Sequence, residues 1–125
     1  MIALNKGIDF ELLSRYGGKP VFFEKGDVIF REGDAGNCLY VIQEGAVDIT
    51  LGNRVLKLMQ PGDIFGEMSL IDGQPRSASA VTRAETTVIP ITEEQFLFLI
   101  GKLPYFAINV MRVLAVRLRE MNRAI

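Results

Sequence analysis

Glu67, Arg76 and the small residues Gly66, Ser69, Ser77 and Ala78 fall within one stretch, I-F-G-E-M-S-L-I-D-G-Q-P-R-S-A-S-A-V-T (64–82). Small residues leave backbone N–H groups open to approach, and successive turn amides form a concavity that attracts phosphate oxygens. Arg76 adds a planar fork of donors able to grip two phosphate oxygens at once. Ionised Glu67 can only accept hydrogen bonds, so its partner must be a donor such as a sugar hydroxyl. Phosphate and ribose together point to a nucleotide. The alternative for the same two residues is a purely structural Arg76–Glu67 ion pair.

The residues that are missing narrow the chemistry further. The chain has no histidine, which removes the usual ligand of cupin-like metal sites and every Ser-His or Cys-His nucleophile pair. Its single cysteine, Cys38, can form neither an internal disulfide nor a thiolate cluster, and is expected to be a small half-buried residue. Nothing supplies a two-metal site or a general base, so no enzyme, no metal and no cofactor is expected.

Composition describes the vessel for this stretch. At 125 residues, with 49% hydrophobic and 23% charged, the chain reads as a single globular domain over 1–125. The net charge of −1 gives no bulk reason to expect nucleic-acid binding. No apolar run approaches the roughly 18 residues needed to cross a bilayer, and the N-terminus lacks a signal-peptide layout, so a cytoplasmic location is expected.

The elements that must position Glu67 and Arg76 can be read in order. A short helix is expected over Ile8 to Arg15, stopped by Gly17-Gly18, within an N-terminal segment 1–18. A β-rich segment 19–91 follows: P-V-F-F, V-I-F, C-L-Y-V-I, A-V-D-I-T-L, R-V-L-K-L-M-Q, S-A-S-A-V-T-R and T-T-V-I-P-I, parted by glycine turns about every dozen residues. Gly26, Gly33, Gly36, Gly45 and Gly52 are expected at positive φ, in structural rather than functional roles. Gly52-Asn53 closes a hairpin whose second strand should carry one fully apolar face, and Pro61-Gly62-Asp63 turns the chain into Phe65-Gly66-Glu67. At Thr92 the period changes. Thr92-Glu93-Glu94-Gln95 has the form of a capping box, and Pro104 suits the first turn of a last helix, so 92–125 is helical. On that helix Ala107, Met111, Leu114, Leu118, Met121 and Ile125 recur in steps of four and three, a coiled-coil seam, beside a second stripe of Phe106, Val110 and Val113.

The run F-G-E-M-S-L, then I-D-G-Q, then P-R-S-A-S closely resembles the phosphate-binding cassette of cyclic-nucleotide-binding domains, and the likeness extends from about Phe22 to the C-terminus. That family includes bacterial catabolite activators, regulatory subunits of protein kinase A and cyclic-nucleotide-gated channels. The resemblance implies a mainly β fold, an eight-stranded double-sheet jelly roll with flanking helices and the cassette at 64–79. It implies a ligand site of Phe65, Gly66, Glu67, Met68 and Ser69 with Arg76, Ser77 and Ala78. By motif match Glu67 takes the ribose 2′-hydroxyl and Arg76 the cyclic phosphate, while Val47, Ile49 and Leu56 form an apolar floor under the purine or serve core packing alone. Arg117 and Asn122 would meet the ligand from the last helix.

The function implied is a regulatory module that senses a cyclic mononucleotide, cAMP ahead of cGMP, and signals through its C-terminal helix to a downstream protein partner not named by the sequence. A ligand-free protein–protein scaffold of the same fold is the alternative. The helix seam implies a homodimer. In the transcription-factor branch of the family a helix-turn-helix domain follows that helix; this sequence stops at Ile125, so DNA is not an expected partner of this chain alone, and the lack of a membrane-length apolar run makes a membrane an unexpected one too.

Overall fold

The computed structural model of the protein describes residues 10–124. Eight strands form two four-stranded antiparallel sheets: β1 (Val21–Phe23), β2 (Val28–Phe30), β3 (Cys38–Glu44), β4 (Val47–Leu51), β5 (Arg54–Met59), β6 (Ile64–Phe65), β7 (Ser79–Thr82) and β8 (Thr86–Thr92). One sheet runs β1-β8-β3-β6 and the other β2-β7-β4-β5, the double-sheet jelly roll with flanking helices. The helices are α1 (Phe10–Tyr16), α2 (Glu67–Asp72), α3 (Glu93–Lys102) and α4 (Pro104–Ala124).

The first sheet is covered on both faces, which explains why β3 and β8 read as nearly unbroken apolar runs. Alternate residues divide between two cores. Leu39, Val41, Ile64, Ile89 and Ile91 meet Leu13, Leu99, Phe106, Val110 and Val113 from the helices. Ile42, Phe65 and Val88 turn the other way and meet Val47, Met59 and Ala80 between the sheets. The cassette helix α2 is short, begins at Gly66 with φ of 77° and ends at Gly73 with φ of 70°, conformations that a Cβ would strain.

Several local expectations hold. The Thr92 hydroxyl accepts from the Gln95 backbone N–H while the Gln95 side chain accepts from that of Thr92, completing the capping box. The Gly52-Asn53 turn joins β4 to β5 with Leu51 opposite Arg54, and α4 does begin at Pro104.

Others are corrected. The first helix lies at Phe10–Tyr16, with Ile8 outside the described residues. Among the turn glycines Gly36 does not take a positive φ, whereas Gly26, Gly33, Gly45 and Gly52 do. No face of β5 is wholly apolar: Val55, Lys57 and Met59 alternate with Arg54, Leu56 and Leu58. The inner stripe of α4 is buried as expected, but the outer seam is not uniform. Leu114 is half-buried against the helix-side core, while Met111, Leu118 and Met121 are exposed; Ile125 lies outside the described residues.

Candidate functional site

A cavity of about 700 Å³ opens between the cassette, the β4–β5 hairpin and the C-terminal half of α4. Its cassette wall is made by Phe65, Gly66, Met68, Ser69, Arg76, Ser77 and Ala78. The facing surfaces come from Ile49 and Leu56 on the hairpin and Arg117 on the helix, so residues far apart in sequence converge as expected.

Three expected members do not line it, the first being Glu67, which is fully buried. Val47 is fully buried between the sheets, across from Met59, and is a core residue; only its neighbour on the same face, Ile49, reaches the cavity. Asn122 is exposed, and the residues that α4 presents beside Arg117 are Glu120 and Met121. The reason is helical geometry. A turn of 3.6 residues puts 117, 120 and 121 on one side and rotates 122 away from it.

Arg76 is the fixed point of the site. Its side chain is buried, and the backbone around it is clamped to the loop before β3: its N–H donates to the Asp34 carbonyl at 2.8 Å, and its carbonyl accepts from Gly33 N–H at 2.8 Å. The guanidinium donates through Nη1 to the Gly66 carbonyl and through Nη2 to the Cys38 carbonyl, both at 2.7 Å, and lies 4.2 Å from the centre of the Phe30 ring. Phe30 in turn packs on Tyr40 and Phe65, whose rings stack at 5.2 Å. Burial of Tyr40 pushes its hydroxyl well above the ordinary tyrosine range, so this aromatic bed stays neutral beneath the cation. Two of five N–H donors are spent on carbonyls and Nε has no hydrogen-bond partner. No carboxylate pairs with Arg76 among the described residues, so the structural Arg76–Glu67 pair does not form.

Glu67 is buried at the start of α2, with Oε1 in an ion pair with Arg117 and Oε2 without a hydrogen-bond partner. Desolvation raises its pKa, against the attraction of Arg117, Lys57 and Arg76. The first turn of the cassette helix is thus tied to α4 by one charge pair.

Several contributors escaped the sequence reading. Gly36 packs so closely that a Cβ there would lie 2.6 Å from both Arg76 Nε and Ser69 Cβ, so its structural role is close approach rather than a positive φ. Cys38 is buried rather than half-buried and serves through its carbonyl; its Sγ lies 4.0 Å from Arg76 Nη2. Phe30 supplies the face on which the guanidinium rests, while Arg54 and Lys57 add cations to the cavity wall. The glycine and the aromatic had a compositional signal only; their proximity to Arg76 comes from the two-sheet topology. Lys57 did have a signal, being a charge among the apolar residues of a strand.

A jelly roll whose cassette sets a buried arginine on a cavity and a buried glutamate in an ion pair with the last helix defines a class, the cyclic-nucleotide-binding fold. The chain belongs to that family: the model of the cyclic nucleotide-binding domain matches residues 20–102. It is similar to the cyclic AMP receptor protein of Thermus thermophilus, 44% identical over 105 residues, covering 80% of this chain and 49% of the relative. The CRP-like cAMP-activated global transcriptional regulator of Mycobacterium tuberculosis is 37% identical over 111 residues, covering 83% of this chain and 49% of the relative. The crystal structure of the Thermus thermophilus catabolite activator protein superposes with a TM-score of 0.83 at 38% identity, over 97% of this chain and 60% of that one. The chain therefore spans about half the length of these curated relatives. No single helix among the described residues is long and apolar enough to cross a membrane.

Proposed function

We propose that this chain is a cytoplasmic regulatory module, without catalytic activity of its own, that binds a cyclic purine mononucleotide, cAMP ahead of cGMP. The observation that carries the reading is Arg76: buried, held on two carbonyls and an aromatic face, free of any carboxylate among the described residues, and facing a cavity large enough for a nucleotide. Its unspent N–H groups receive the cyclic phosphate, with Ser77 and Ala78 alongside. The Glu67 carboxylate accepts from the ribose 2′-hydroxyl as Arg117 yields it, and the purine lies over Ile49 and Leu56. The order of cAMP over cGMP rests on the names of the two relatives above, both of which refer to cAMP.

The output of the module is α4. Ligand that engages Glu67 competes with Arg117 for the same carboxylate and so shifts the C-terminal half of the helix, which carries the signal to a protein partner. The exposed Met111, Leu118 and Met121 form the contact of a homodimer, since an apolar row of this kind is covered most simply by a second copy. Light scattering at high micromolar concentration checks this: the native chain runs as a dimer and Met111→Glu with Leu118→Glu as a folded monomer.

Calorimetric titration with cAMP and cGMP tests the ligand. Heat from either, with cAMP the tighter, supports the reading, and a tenfold preference for cGMP reverses the order. A second reading, a protein–protein scaffold that has given up ligand, draws on the same ion pair, because Arg117 already occupies an oxygen of the ribose acceptor. Absence of heat from both at near-millimolar ligand selects it.

A further inference from the structure

The cassette borders a second hollow. A groove of about 600 Å³ runs between α2, the start of α3 and the loop that leads into β3. Ser69 lines both hollows, and Gly36, on the groove side, packs against Arg76 and Ser69, so a single layer of residues parts the groove from the nucleotide cavity.

The two hollows are opposite in charge. The nucleotide cavity is lined by Arg54, Lys57, Arg76 and Arg117, with Glu120 facing them. The groove is lined by Glu93 and Glu94 and by no lysine or arginine. Both glutamates are exposed, and neither forms an ion pair among the described residues. The last turn of α2, which reaches the groove at Gly73, carries no basic residue either, so its carbonyl end adds to the negative wall. Between the charges the surface is apolar. Leu97 lies one turn beyond Glu93 and Glu94 on the same face of α3 and is 63% exposed, and Leu70 meets it from α2. Asn37, on the third side, offers both a donor and an acceptor, as a peptide backbone requires.

We propose that this groove docks a short linear segment of a partner protein in which an apolar side chain, seated on Leu70 and Leu97, is flanked by lysine or arginine facing Glu93 and Glu94. Charge complementarity selects that occupant. An acidic or phosphorylated segment is repelled, and a basic segment without an apolar side chain leaves the two leucines in water. The inference goes beyond the nucleotide reading and does not depend on it.

Three fluorescein-labelled synthetic peptides test it: leucines flanked by lysines, leucines flanked by glutamates, and serines flanked by lysines. Each is titrated against the whole chain by fluorescence anisotropy at low salt, with amide shifts in the NMR spectrum locating the contact. The lysine–leucine peptide binds about tenfold tighter than either of the others and shifts the amides of Asn37, Gly73, Glu94 and Leu97. Leu97→Ser weakens it about tenfold, and Glu93→Gln with Glu94→Gln weakens it about fivefold and flattens its salt dependence, both with a native melting temperature. Absence of binding at low salt, shifts confined to other residues, or affinity within twofold of native in both variants overturns the assignment. Shifts of the same four amides on diluting the protein alone place a second copy in the groove and overturn the partner segment as its occupant.

Discussion

The two walls of the cavity are built on different terms. On the cassette side Glu67, Ser69, Arg76 and Ala78 are buried, and Arg76 is held by backbone bonds to Gly33 and Asp34 and by side-chain bonds to Gly66 and Cys38. On the α4 side Met121 is 63% exposed, Glu120 is exposed, and Arg117 holds the wall through one ion pair to Glu67. The inner stripe that docks α4 on the barrel, Phe106, Val110 and Val113, ends before this half of the helix begins. The recognition chemistry proposed above therefore falls on the buried wall, where it costs little to order on binding. The wall with few buried contacts is the one a ligand can bias, since low local burial is what lets a segment open independently of the core.

The largest effect expected on the buried wall is that of Arg76→Ala. Loss of a charge-assisted contact to a shielded phosphate is worth about 2–5 kcal/mol, a fall of at least about thirtyfold that at its upper end carries a micromolar site beyond millimolar in calorimetry. The same change leaves the Gly66 and Cys38 carbonyls without their donor, so the melting temperature falls as well, by the equivalent of about 1–3 kcal/mol. Arg76→Lys restores little binding, because an ammonium cannot reach both carbonyls and still present a fork. Binding within threefold of native in Arg76→Ala removes the cassette from the mechanism.

Next in size is Gly36→Val. Its branches meet Arg76 and Ser69 where even a Cβ is too close, so the guanidinium is displaced and affinity falls about tenfold while circular dichroism stays native.

Glu67→Gln weakens binding less than Arg76→Ala, because the amide still accepts from the ribose hydroxyl, and the native preference for ribose over 2′-deoxyribose analogues narrows. It also changes the pH response. Burial raises the Glu67 pKa, so the folded state holds the proton more tightly than the unfolded chain. Native stability falls as pH rises from the ordinary carboxylate range through that raised value. Thermal melts across about pH 4 to 8 show this fall in the native protein and lack it in Glu67→Gln.

The smallest effect is confined to the exposed wall. Arg117→Ala unties α4 from α2, and hydrogen exchange speeds up in the helix beyond Val113 while the cassette amides keep their protection. Equal loss of protection on both walls shows that they are one cooperative unit, and the contrast between them disappears.

The sequence by itself determined the cassette and the periodicities. Gly66 and Gly73 bracket α2 because only glycine takes their backbone angles without strain, the Thr92 box starts α3, and alternation within the strands commits them to two cores. Those signals are local, written within a few residues of where they act. Tertiary structure alone decided that Gly36, Phe30 and the Cys38 carbonyl surround Arg76, that Val47 closes into the core while Ile49 and Lys57 meet the cavity, and that Met121 rather than Asn122 borders the cavity. Each of these depends on where one element crosses another and at what rotation, and a strand or helix read alone carries its faces without the depth at which the fold will bury them.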